Sequence, residues 1–158
     1  MTEKLPAGAQ RIQDLLTSSG RPADVLLLTA STRTADDAAA ALNCPVAAIA
    51  NSLVFTTGDQ PILVMTSGAH RVNTKALAER IGVAALDRAT PVFVKEATRQ
   101  TIGGVSPIGH PRPVRTIIDA ALAVHERIWV AAGAPNAVFP TTFDDLRALT
   151  SGHIETVT

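Results

Sequence analysis

The sequence predicts a mixed α/β fold in a single domain, one sheet holding both strand directions with helices around it, and three observations carry the prediction. Segments of helical and strand periodicity interleave along the chain. Two apolar runs are joined so tightly around Gly58 that they must pair as a hairpin, which excludes an all-parallel sheet. Finally, 158 residues with 46% apolar and 18% charged content suffice for one core of useful size and require no second domain.

Residues 1–20 form an N-terminal helical extension packed on the domain. Between Ala9 and Ser19, Ile12, Leu15 and Leu16 share one helical face, and Gly20 follows as a stop. The apolar run Val25 to Thr29 suits a buried strand. Thr34, with Asp37 three residues later, resembles a capping box that opens an alanine-rich helix to Leu42. Ala50 to Phe55 and Pro61 to Met65 are the two arms of the hairpin, with T-T-G-D-Q as its turn. Asn73 is a good N-cap for a helix over Thr74 to Ile81 that Gly82 closes. Thr90 caps a further helix that begins at Pro91 and runs to about Arg99. Strands follow at Val114 to Ile118, Ile128 to Ala131 and Ala137 to Phe139, then a short helix capped by Thr142 and a last strand from His153 to Val157.

Composition removes several function classes. Fourteen basic and fourteen acidic residues cancel, so the chain has no overall electrostatic footprint for long duplex nucleic acid, and DNA is not an expected partner. No apolar run approaches the length of a membrane span, and the first residues lack the apolar core of a signal peptide, so a cytoplasmic location is expected. The single cysteine, Cys44, excludes an internal disulfide framework, and the four scattered histidines have no zinc spacing. Aromatic content of 3% argues against a base-stacking platform. No Rossmann or Walker signature is present.

The stretch Thr101 to Gly109, T-I-G-G-V-S-P-I-G, stands apart. Adjacent Gly103 and Gly104 release backbone restrictions, Ser106 supplies a hydroxyl, and Pro107 locks the chain after it, a composition suited to bringing bare backbone close to a ligand or to making a tight structural connection. Ser106 is not expected to be a nucleophile. The G-x-S-x-G elbow needs the N–H of the residue after the serine for its oxyanion hole, and here that residue is Pro107. Basic residues and histidines, among them His70, Arg71, Lys75, Arg99, His110, Arg112 and Arg115, cluster in sequence around the glycine loops, either as a phosphate-facing patch or as a solvated rim. Asp119 reads as a helix N-cap after a strand.

Taken in order, I-A-N-S-L-V-F from Ile49, the loop Gly103 to Gly109, I-I-D-A-A-L from Ile117 and A-A-G from Ala131 resemble the YbaK/EbsC family, relatives of the editing domain inserted in bacterial prolyl-tRNA synthetases. The resemblance spans about Val25 to Val157. It implies a compact, strongly curved mixed sheet flanked by helices, and an aminoacyl-tRNA deacylase that acts in trans on the ester of a mischarged amino acid, without metal or cofactor. The implied partner is the acceptor end of an aminoacyl-tRNA, with contact to a synthetase left open and no oligomeric state specified. By this resemblance the catalytic positions are Asn51, Gly103 and Gly104, with Ser52, Val105, Ser106, Pro107 and Gly133 at the substrate; Ser31, beside Thr32 in the strand-to-helix loop, and Gly68 and His70, at the end of the second hairpin strand, are further substrate-binding candidates by their own positions. One departure matters: the family lysine is replaced by Asn51, a neutral amide that cannot supply the charge. A non-catalytic module that keeps the family pocket is therefore the alternative. Val138 stands near a position where some members carry an acidic residue.

Overall fold

The computed structural model describes residues 4–29 and 34–158; Ser31 and Thr32 lie outside them. Five helices, α1 (Ala7–Ser18), α2 (Ala35–Leu42), α3 (Thr74–Ile81), α4 (Pro91–Thr98) and α5 (Phe143–Thr150), surround one sheet. Its strands are β1 (Leu26–Leu27), β2 (Ile49–Thr57), β3 (Gln60–Ser67), β4 (Asp87–Arg88), β5 (Arg115–Asp119), β6 (Ile128–Ala131), β7 (Ala137–Thr141) and β8 (His153–Glu155). Four helices start where capping chemistry places them. The side chains of Thr34, Asn73, Thr90 and Thr142 each accept a hydrogen bond from the backbone N–H three residues on, satisfying one donor that a helix start leaves open.

The sheet order is β1-β7-β6-β2-β3-β5-β8, with β4 pairing β2 off this path. The β2–β3 hairpin is antiparallel and unbroken from Ala50↔Ser67 to Thr57↔Gln60, so its turn is Gly58 and Asp59, shorter than the five residues expected. The arms lengthen because Thr56 and Thr57 carry β-branched side chains that fit a pleated surface. Parallel pairs join β2 to β6 and β3 to β5. The sheet is mixed, as the hairpin requires.

Since side chains alternate along a strand, the long hairpin sorts its residues between two faces. One face carries Ala50, Val54, Leu63, Met65 and Ile118, packed with Ile12 and Leu16 of α1, Val94 of α4, Leu146 of α5 and Val105. On the other, Phe55, Ile62, Val64 and Ile117 pack against Leu77, Ala78 and Ile81 of α3, while Ile49 and Trp129 pack against Ala38 and Ala39 of α2. Although α1 reads as an extension, its Ala9, Ile12 and Leu16 are at most 1% exposed, so it is part of the main core. β1 departs from expectation. Only Leu26–Leu27 is strand, it pairs β7 alone, and Leu26 is 43% exposed, so this run is a sheet edge, not a buried strand.

Candidate functional site

Two groups of polar and glycine residues emerge, one on each face of the sheet. The first is a row across three strands. Asn51 lies opposite Thr66, whose hydroxyl reaches the carboxylate of Asp119 at 3.4 Å. Asp119 is 2% exposed and fully engaged: Oδ2 accepts from the Ser67 N–H at 3.0 Å and from His70 Nδ1 at 2.8 Å, and Oδ1 accepts from the Ala121 N–H at 3.0 Å. Asp119 is thus the predicted cap and, in addition, the anchor of His70. A carboxylate accepts only, so Nδ1 carries a proton, and the neutral form of the ring presents its other nitrogen as an acceptor. His70 is half-buried. Among the described residues the Asn51 carboxamide finds no hydrogen-bond partner, and it does not serve a strand-edge backbone group. Gly68 closes this corner: a Cβ there would lie 2.9 Å from the Ala35 Cβ and 2.6 Å from the Val46 carbonyl oxygen, so β3 ends pressed against the start of α2.

The second group is the glycine loop. Thr101 to Gly109 has no regular structure, and its main chain is held at a few points. The Gly104 N–H donates to the Thr101 carbonyl at 3.1 Å, and the Ser106 N–H donates to Gln100 Oε1 at 2.6 Å. Pro107 has no N–H. Among the described residues, that leaves the N–H groups of Gly103 and Val105 without a partner within Gly103 to Pro107, and those of Thr101, Ile102, Ile108 and Gly109 on either side. The Gly133 N–H donates to the Gly104 carbonyl at 3.0 Å and clamps the loop to the turn after β6. Gly104 is glycine because of that turn: a Cβ would fall 2.9 Å from the Ala134 carbonyl carbon and 3.1 Å from its oxygen, so the protein's own backbone occupies the space expected for a ligand. Gly103 is the conformational glycine, at φ +94° with open space around it.

Ser106 and Pro107 are buried, and the Ser106 hydroxyl is the one fully buried side-chain polar group without a hydrogen bond among the described residues. Such a group costs stability unless something supplies a partner. The Ser106 carbonyl accepts from His110 Nε2 at 2.8 Å, which fixes the histidine tautomer. Burial pushes the His110 pKa below its ordinary value; its bond to Ser106 opposes that shift, and the charge of Arg11 adds to it.

Sequence adjacency misled at two points. Asn51 and Ser52, read together, face opposite ways: Ser52 Oγ lies 3.3 Å from Met65 Sδ, on the face of the glycine loop, while Asn51 shares the face of α2 and α3. The basic residues also fail to form one patch. Arg115 donates to the Ile81 carbonyl, His70 is held by Asp119 and His110 by Ser106. Val138 is half-buried, facing the α2 cluster.

The strand that carries Asn51 is interrupted on its other edge. On the edge away from β3, β2 pairs β6 at Ile49 and Ala50 and then β4 at Phe55 and Thr56, so the ladder is interrupted between them. Asn51, Ser52 and Leu53 fall in the interruption. Where two strands leave a third, a substrate can be contacted from both faces at once, and neighbouring element ends supply polar groups.

Among the described residues no cluster of three or more metal-ligating side chains exists, and no helix is long and apolar enough to cross a membrane.

Comparison with known proteins places this architecture. A family model described as an aminoacyl-tRNA editing domain matches residues 29–149. The chain is 30% identical over 131 residues to YwhH of Bacillus subtilis, a protein of uncharacterised function, covering 82% of this chain and 83% of that one. It is 27% identical over 135 residues to the proline–tRNA ligase of Streptococcus thermophilus, of whose length it spans only 22%. A crystal structure of a candidate trans-editing enzyme for prolyl tRNA synthetase superimposes with a TM-score of 0.92 at 36% identity, covering 98% of this chain and 99% of that one.

Proposed function

This chain belongs to the aminoacyl-tRNA editing domain family, and from that premise we propose that it is an aminoacyl-tRNA deacylase acting in trans, hydrolysing the ester that links a mischarged amino acid to the terminal adenosine of tRNA. The observation that carries the reading is the end-to-end correspondence with a candidate trans-editing enzyme for prolyl tRNA synthetase. In this reading the cytoplasmic acceptor end of an aminoacyl-tRNA is the ligand.

Ester hydrolysis needs a held water, stabilisation of the oxyanion and a route for protons. The residues present divide these tasks. The uncommitted N–H groups of Gly103 and Val105 are the loop's donors for a carbonyl or an oxyanion, whereas Gly104, whose N–H is committed to Thr101, holds the loop's shape. Asn51 offers amide donors and an acceptor at the interrupted edge of β2, where the family lysine would offer charge. His70, oriented by Asp119, presents a basic nitrogen to the water or to the leaving hydroxyl. Ser52, Gly68, Ser106, Pro107 and Gly133 shape the walls, and the Ser106 hydroxyl gains its missing partner when substrate binds.

The test is single-turnover hydrolysis of a panel of mischarged tRNAs by wild type, Asn51→Ala, Asn51→Lys and His70→Gln. Wild type releases the amino acid from at least one. Asn51→Ala and His70→Gln slow release by about tenfold or more, the ordinary yield of one hydrogen-bonding or proton-transfer group. Asn51→Lys raises it, because a charge-assisted contact is roughly twice as strong as a neutral one. The replacement of the family lysine also favours one alternative: a module that binds the aminoacyl end without hydrolysing it. Binding of tRNA with no hydrolysis by any of the four proteins selects that module.

A further inference from the structure

A cleft of about 290 Å³ lies between α1 and α4, lined by the side chains of Arg11, Lys95 and Arg99 and by the Thr101, Gly109 and Gly133 segments. Three cations from two helices converge on it. All three are exposed, and among the described residues none has an ion-pair or hydrogen-bond partner. Convergence of like charges around a concavity is unfavourable unless an anion occupies it, and a concave wall concentrates the potential there. Arg99 ends α4 in the left-handed conformation, at φ 60°, an uncommon backbone state for a non-glycine residue. Arg11 also lies close enough to His110 to bear on its charge, so the cleft abuts the loop that carries Ser106.

We propose that this cleft is a subsite for a backbone phosphate of the tRNA acceptor arm. The proposal rests on the deacylase reading for the identity of the RNA, and on the cleft alone for its anion chemistry. No aromatic side chain lines the cleft to offer a stacking platform, and its guanidinium and ammonium groups suit phosphate oxygens. It shares Gly133 with the candidate site and is lined by Thr101 and Gly109 of the same glycine loop, so a phosphate held there lies beside that loop. A chain of zero net charge needs such a local anchor, since its overall field does not attract RNA.

The experiment is a titration of a fluorescent acceptor-stem microhelix, uncharged in the sense that it bears no amino acid, by wild type and by Arg11→Gln, Lys95→Gln, Arg99→Gln and their triple combination, repeated across salt concentrations. Melting curves accompany each variant, and the positions are exposed, so folding should be retained. We expect tenfold or greater loss of affinity in the triple variant. The slope of log affinity against log salt should become shallower by about 0.7 to 0.9 per phosphate contact removed. Equal affinity and equal slope in wild type and the triple variant overturn the proposal. Tight binding of inorganic phosphate, with no binding of the microhelix, also overturns it and assigns the cleft to a free anion. Because the microhelix is uncharged, failure of the deacylase reading leaves this measurement intact. Conversely, a triple variant that hydrolyses mischarged tRNA like wild type at every salt concentration removes the subsite while sparing the deacylase.

Discussion

Replacing Gly104 with alanine adds one carbon in a place that the structure has already filled. Ordinary van der Waals contact begins near 3.4 Å, and the new Cβ would sit 2.9 Å from the Ala134 carbonyl carbon, so the loop and the turn must part by about half an ångström. None of the atoms it meets is a flexible side chain: they are the Ala134 carbonyl carbon and oxygen and the Pro135 nitrogen. Parting stretches the 3.0 Å bond from Gly133 to Gly104 to the limit of a hydrogen bond. Overpacking costs about 1 to 3 kcal/mol and the weakened bond about 1 kcal/mol, a total of about 2 to 4 kcal/mol. At this chain length that lowers the melting temperature by roughly 5 to 15 °C. Gly103→Ala is the paired control. Nothing lies within 4 Å of its new carbon, so it bears only the cost of a left-handed residue, about 1 to 2 kcal/mol. Urea unfolding with a shared m-value reads both. If Gly104→Ala unfolds with wild type, the clamp between loop and turn is not what requires glycine there, and the reasoning fails.

Further predictions rest on single contacts. Ser106→Ala removes a buried hydroxyl that has no partner, and should stabilise the free protein by about 1 kcal/mol while weakening substrate binding; a lower melting temperature would show that the hydroxyl is satisfied after all. Asp119→Ala strips the acceptor from two backbone N–H groups, Thr66 and His70 and should cost roughly 3 kcal/mol or more in urea unfolding, with Asp119→Asn costing less because its carbonyl oxygen remains. His110 is held neutral when folded, so its pKa is depressed. Its contribution to stability is complete above the ordinary value near 6.5 and is lost as pH falls from there through the folded value, because the unfolded chain takes up the proton first. Melting temperatures of wild type between pH 7 and 5 should therefore fall more steeply than those of His110→Gln; parallel curves would refute it.

Much of the fold was legible because local chemistry sets it. Thr34, Asn73, Thr90 and Thr142 announce helix starts by side-chain capping, and Gly58 announces the hairpin. Helix ends were harder. Asn43, Arg99 and Ser151 close helices in the left-handed region without glycine, which residue type alone does not signal. β4, two exposed residues, has no period to detect, and it exists because β2 outruns β6 and needs a neighbour. The glycine loop stood out by composition, and Gly133 entered through the family resemblance. The opposed directions of Asn51 and Ser52 were available from strand alternation. The row through Asn51, Thr66 and Asp119 was not, since it depends on how β3 registers against both β2 and β5, a pairing between residues far apart in sequence. Arg11 escaped notice for the same reason: only the packing of α1 brings it to Arg99.

That packing makes α1 a lock on the glycine loop. A Cβ at Gly8 would collide with the Gly133 carbonyl oxygen, and one at Gly109 would fall 2.9 Å from the Ile12 side chain, so the helix is wedged against both the turn and the loop. Yet α1 precedes residues 29–149, the part matched by the family model. Rigidity at the shared core is thus set by a segment outside that match. Substitutions along the buried stripe of Ala9, Ile12 and Leu16 would change how firmly the loop and turn are held, leaving every residue of the candidate site untouched.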